Sequence, residues 1–204
     1  MNKIKYAGHC VFHPFDGFYE AKYRHMGSNA VSFFFLFLYG IVCCTDVQYT
    51  GFIMNNYHIT EMSSMRTLIS SITIFLLFTL SNWTVTTLFD GKGKLGDIFT
   101  VTTYSLIPVI FTKVIVIFLS NFIIKEETPI LYAVVAFGWV WFGFMMISGL
   151  CTIHEYGLFK NIVTLFATVV AAVIILFLLV LFISLVEQMI GFFTTFFGEL
   201  MRRI

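Results

Sequence analysis

The chain has 204 residues, of which 59% are hydrophobic and 11% charged, with a mean hydropathy of +0.92. A soluble domain carries about a quarter charged residues, so this composition excludes an ordinary water-soluble fold and points to a polytopic membrane protein. The net charge of +1 excludes a global field that would draw nucleic acid.

The N-terminus, "MNKIKYAGHCVFHPFDG", carries charges but no apolar core, so a cleaved signal peptide is not expected. From Pro14 to Met26, the residues Phe15, Phe18, Tyr19, Tyr23 and Met26 follow helical spacing, while Asp16, Glu20, Arg24 and His25 fall elsewhere on the wheel. Pro14 suits a first helical turn and Gly27 a helix stop. The spacing predicts an amphipathic interfacial helix on the cytoplasmic face. The nearby His9, Cys10, His13, Asp16 and His25 match no strong zinc spacing. They read as interfacial polar residues, so no metal is expected. Cys10, Cys43, Cys44 and Cys151 read as small buried hydrophobes.

Five segments are long and apolar enough to cross a bilayer: about Asn29–Val47, Arg66–Phe89, Ile98–Ile124, Ile130–Ile153 and Ile162–Val186. They are read as helices, because a lone strand leaves its backbone unsatisfied in lipid. The expected fold is an all-α integral membrane bundle in a single domain over 1–204. A lead-in covers 1–28, the five-helix bundle 29–186 and an amphipathic tail 187–204. In that tail Met189, Phe193, Phe196, Phe197 and Leu200 share a face, which suits either an outer interfacial segment or an extension of the fifth helix.

Basic residues set the expected orientation. Lys3, Lys5, Lys22, Arg24, Lys92, Lys94 and Lys160 fall on one side, and Arg66, Lys125, Arg202 and Arg203 on the other. This bias favours a cytoplasmic N-terminus and an external C-terminus.

Between the second and third spans lies "DGKGKLGD", with Gly91, Gly93 and Gly96 in G-x-G-x-x-G spacing. A dinucleotide fingerprint needs a preceding strand and an acidic residue about 20 positions on. Here an apolar span precedes it, and Val116 occupies that later position. The glycines therefore read as a tight cytoplasmic turn with positive φ angles. Lys92 and Lys94 are candidate contacts to lipid phosphates, and Asp97 is placed to cap the next helix.

Within the spans, Lys113 is a costly intramembrane charge that must pair or snorkel, with Glu187 as its candidate partner. Asn82 and Trp83 lie at the depth of Tyr104 on the next helix, at about 1.5 Å per residue. An Asn82–Tyr104 hydrogen bond across the hairpin is expected. Pro108 should kink the third span and free the Tyr104 carbonyl. His154 and Glu155 read as interfacial hydrogen-bonding residues at the end of the fourth span.

The stretches "NWTVTTLFDGKGKLGDIFTVTTYSLIP", "LSNFIIKEE" and "HPFDGFYEAKYRHMGSN" resemble the bacterial branch of the Yip-domain family. The elements that carry the resemblance most specifically are Gly91, Gly93, Tyr104 and Pro108. It implies five spans, a cytoplasmic N-terminus, a bacterial plasma-membrane location and no enzyme activity. The eukaryotic members interact with Ypt/Rab GTPases in traffic between endoplasmic reticulum and Golgi. Their D-L-Y-G-P motif is reduced here to Leu38, Tyr39 and Gly40, flanked by Phe37 and Ile41, so a Rab-type GTPase is not an expected partner. No catalytic or cofactor motif is present. The expected function is an accessory or scaffold subunit for a membrane partner such as the permease subunits of an ABC transporter. Two alternatives are a small transporter or channel, motivated by Lys113, and a membrane-shaping protein, motivated by the amphipathic ends.

Overall fold

A computed structural model describes residues 3–55 and 63–203. The described residues form α1 (Lys3–Phe12), α2 (Pro14–Tyr23), α3 (Asn29–Tyr49), α4 (Ser64–Leu88), α5 (Leu95–Ser105), α6 (Ile107–Leu119), a short 3-10 turn (Lys125–Glu127), α7 (Thr128–His154) and α8 (Leu158–Arg203), with no strand among them. Five helical stretches are long and apolar enough to cross a membrane, with α5 and α6 together forming the third. The fold is an all-α membrane bundle. Part of the polar connection from Gln48 to Met65 lies outside the described residues.

The centre of the bundle is α5. Every residue from Ile98 to Ser105 is buried. Four of these are Thr or Ser, and small side chains let neighbouring helices approach closely where no water drives them together. The threonine hydroxyls are satisfied within the helix: Thr102 donates to Ile98 O at 2.8 Å and Thr103 to Phe99 O at 2.8 Å, whereas Ser105 Oγ has no partner among the described residues. Such bonds leave the faces of α5 free to pack Ile98, Val101 and Tyr104 on one side, and Phe99 with Leu106 of the following break on another.

The break at Leu106 separates α5 from α6, and Pro108 stands in the first turn of α6. Proline lacks the N–H that a continuous helix would need there. The helix is thus interrupted where Pro108 is expected to kink it. Helices α6 and α7 approach closely, since a Cβ on Gly138 would lie 2.1 Å from Thr112 Oγ1.

The lead-in packs more closely than an interfacial segment would. Pro14 does begin a helix, but α1 precedes it, and the two form a hairpin against the bundle. Tyr6, Ala7, Cys10 and Phe18 are completely buried, while Phe15, Tyr19 and Tyr23 stay exposed. Contacts step along α7 in the same direction as along α2. Trp141 Nε1 donates to Val11 O at 3.1 Å. Phe15 meets Phe144 edge-on, with centroids 6.3 Å apart. Phe18 lies over Gly149, and Lys22 reaches Ile153. The helix ends at Tyr23 rather than near Gly27, and the left-handed residue is His25, with φ 51°.

The long α8 has two parts. Asn161, Thr164 and Thr168 are buried at helical spacing in its first turns. Asn161 Nδ2 donates to Ile147 O at 3.0 Å and Asn82 Nδ2 donates to Thr168 Oγ1 at 3.0 Å, which ties α8 to α7 and α4. Beyond this, the helix runs unbroken to Arg203, so the tail extends the fifth span. Met189, Phe193, Phe196 and Phe197 are exposed along it. The Leu200 side chain lies outside the described residues.

Candidate functional site

The most specified polar cluster lies at the Glu155 end of the bundle, where α2, the α4–α5 turn and the α7–α8 turn meet. The chain leaves α7 through Glu155, a left-handed residue with φ 58° and ψ 36°. This turn projects the carboxylate back toward α2 and the glycine turn. Lys92 Nζ donates to Glu155 Oε2 at 2.5 Å and Lys22 Nζ to Oε1 at 3.1 Å. The Tyr23 hydroxyl donates to the same Oε1. Lys22 also donates to Ile153 O at 2.7 Å, satisfying a terminal carbonyl of α7. The bonds from Lys92, Tyr23 and Lys22 hold the Glu155 carboxyl down at about 2. The same carboxylate raises Lys92.

The glycine turn is gripped from its other side. His154 is buried, and its Nδ1 accepts the Gly93 N–H at 3.3 Å. Tyr156 stacks on His154 with centroids 5.2 Å apart, and its hydroxyl donates to Phe89 O at 2.9 Å. Lys160 Nζ sits 4.3 Å from the Tyr156 ring centroid on a cation–π contact.

The expectation of positive φ at the glycines is corrected here. No glycine of the described residues has positive φ, and Asp90, with φ 56°, makes the left-handed bend. Close approach is the reason for Gly91 and Gly93. A Cβ on Gly91 would lie 2.6 Å from His154 Nδ1 and 2.8 Å from the Tyr156 hydroxyl. A Cβ on Gly93 would lie 2.4 Å from Ile153 Cγ2. Gly96 has looser surroundings, its nearest neighbour Asn29 being 3.5 Å from such a Cβ. Asp97 does cap α5, accepting the Lys94 N–H at 3.1 Å. Of the two lysines, Lys92 pairs with Glu155, while Lys94 is exposed and makes no ion pair among the described residues.

Two expected pairings within the spans are also corrected. Asn82 bonds Thr168 and not Tyr104, because its amide faces α8. Tyr104 is fully buried between α1 and α3, edge-on to Phe35 at 6.0 Å, with no partner for its hydroxyl among the described residues. Trp83 turns outward and is 40% exposed. Lys113 pairs with Asp46 of α3 and not with Glu187. Asp46 lies near the far end of α3, within reach of Lys113, whereas Glu187 is exposed on distal α8.

The pattern for the Yip1 domain matches residues 9–194. The chain belongs to the Yip1-domain family. No curated protein and no solved structure matches it. Yip1-domain proteins are membrane proteins not known as enzymes, and the match spans α2 to distal α8, so the Glu155 cluster lies within the family domain. Ile153, His154 and Tyr156 are the neighbours that explain Gly91 and Gly93 of this Yip1-domain chain, and Glu155 holds Lys92 of the same turn. Sequence reasoning reached Glu155 and His154 only as interfacial residues. Their signal was the run "HEYG" at the end of an apolar span, where a helix must stop.

Proposed function

We propose that the chain is a non-enzymatic accessory or scaffold subunit of a bacterial plasma membrane that organises or regulates an integral-membrane partner. The observation that carries this reading is α8. Its most apolar stretch is the most hydropathic of the candidate spans, and none of it is buried. An apolar groove of about 520 Å³ runs between α8, α4 and α7, lined by side chains such as Phe78, Phe142, Ile147 and Leu176. In a bilayer a lipid-facing helix needs no partner over one leaflet-to-leaflet crossing. At about 1.5 Å per residue, however, a helix of 46 residues spans roughly 69 Å, twice the hydrocarbon thickness. The distal apolar turns therefore call for a cover that the described residues do not supply.

The partner class is a multicomponent transporter, with ABC permease subunits offering apolar helices of the required kind. The basic bias supports a cytoplasmic Glu155 end, with the N-terminus inside and the C-terminus outside. Lys92 and Lys94 then face the cytoplasmic lipid surface.

The test is purification of the full chain from native membrane in a mild detergent, with a photo-crosslinker at Phe177. A stoichiometric integral-membrane partner joined to α8 is expected. A monodisperse chain with no partner and no adduct sinks the reading.

A further inference from the structure

A cavity of about 550 Å³ opens beside the Glu155 cluster, between the end of α2 and the start of α5. Its polar wall carries Lys22, Lys92, Lys94, His25, Asn29 and Asp97. Its remaining wall combines Tyr23 and Thr100 with apolar or small residues, including Ala21, Val101 and Ile153. We infer that this cavity binds a phosphate group, with Lys94 as its principal ligand and Lys92 and Lys22 completing a cationic wall.

The charge balance carries the inference. Lys22 and Lys92 share the single carboxylate of Glu155. Lys94 lines the cavity and has no ion-pair partner among the described residues. Asp97 also lines the cavity, and its carboxylate is engaged by the Lys94 N–H. Three ammonium groups thus face two carboxylates, leaving an excess of one positive charge. The first turns of α3 and α5 adjoin here, since a Cβ on Gly96 would lie 3.5 Å from the Asn29 amide. Both bring positive dipole ends toward the same space. A phosphodiester carries one negative charge and matches the excess. Val101 and Ile153 are core residues that also floor the cavity, so the site joins a charged mouth to an apolar wall. That combination suits a phosphate attached to glycerol and acyl chains. A free phosphate shares the same anionic chemistry and differs in lacking the apolar part.

The site differs from the α8 surface and does not depend on the accessory-subunit reading. The experiment uses the full chain in phosphatidylcholine nanodiscs, with and without phosphatidylglycerol, and counts retained lipids by native mass spectrometry. A parallel arm adds inorganic phosphate to phosphatidylcholine nanodiscs and follows the melting temperature. Selective retention of phosphatidylglycerol is expected. It should fall about fivefold in Lys94→Gln, return in Lys94→Arg, and stay unchanged in Lys125→Gln at the opposite end. Retention without any phosphate effect assigns the site to the lipid. A melting shift with phosphate that disappears in Lys94→Gln assigns it to the free anion. Equal retention in wild type and Lys94→Gln with no phosphate-dependent shift overturns the inference, as does an equal loss in Lys125→Gln. Melting temperatures of the unliganded variants that match wild type separate loss of the site from loss of the fold.

Discussion

Glu155 concentrates three donors from two distant segments onto one carboxylate. Its contribution has a definite pH dependence. A depressed carboxylate stabilises the fold fully above its ordinary value of 4.5 and loses that contribution as pH falls toward about 2. The melting temperature of Glu155→Gln in detergent should lie below wild type at neutral pH, and the gap should narrow below pH 4.5. A gap that is constant with pH would mean that the carboxylate charge is not what the donors recognise. Gly93→Ala tests the steric side of the same cluster. Its Cβ meets Ile153 and His154, and overpacking of this kind costs about 1–3 kcal/mol. Denaturant unfolding should show that loss, and Gly143→Ala, where nothing lies within 4 Å, should show none of it. Within the membrane, Lys113→Met leaves Asp46 as an unpaired, mostly buried charge, and a loss of about 3 kcal/mol is expected. The double variant with Asp46→Asn should recover most of it.

At the level of the helices, the hairpin of α1 and α2 was the least legible part of the sequence. The spacing of Phe15, Phe18 and Tyr19 gives amphipathicity without saying which of them protein covers; Phe18 is buried and the other two are exposed. The deciding contact is with glycine. Gly149 opens a hollow on α7 that receives Phe18, and Gly17 lets Cys10 approach so closely that a Cβ there would sit 2.8 Å from its sulfur. Neither recess has a periodic signature, because a missing side chain leaves no hydrophobic mark. The spans were legible because length and apolarity are properties of one segment alone. The partners of Asn82 and Lys113 were not, since depth along a helix does not specify which neighbour a side chain faces. Burial pushes the Cys10 thiol up to about 12, so it should resist maleimide in the folded protein while Cys44 reacts. Gly17→Val should force the hairpin apart and make Cys10 reactive. Continued protection of Cys10 in that variant would contradict the packing.

For the whole molecule, the two halves of α8 have different expected roles. Asn161, Thr164 and Thr168 fasten its start to the bundle, and Asn82→Leu should weaken this attachment by about 1 kcal/mol. Truncation after Val186 leaves those contacts intact. The melting temperature should therefore hold, while recovery of a co-purifying partner falls. A large drop in melting temperature on truncation would show that the distal helix supports the fold itself.

The direction of α2 along α7 also determines how the protein divides its area between the two leaflets. From Glu155 back to Trp141, at about 1.5 Å per residue, α7 covers roughly 21 Å, so the hairpin runs beside about that length of α7 from its Glu155 end. Two helices about 10 Å across add roughly 160 Å² of cross-section to the leaflet at that end and none to the other. The chain is therefore expected to occupy more area at the Glu155 end. Lipids around it must accommodate unequal areas, so copies of the chain should gather where the leaflet holding the hairpin is the expanded, convex one.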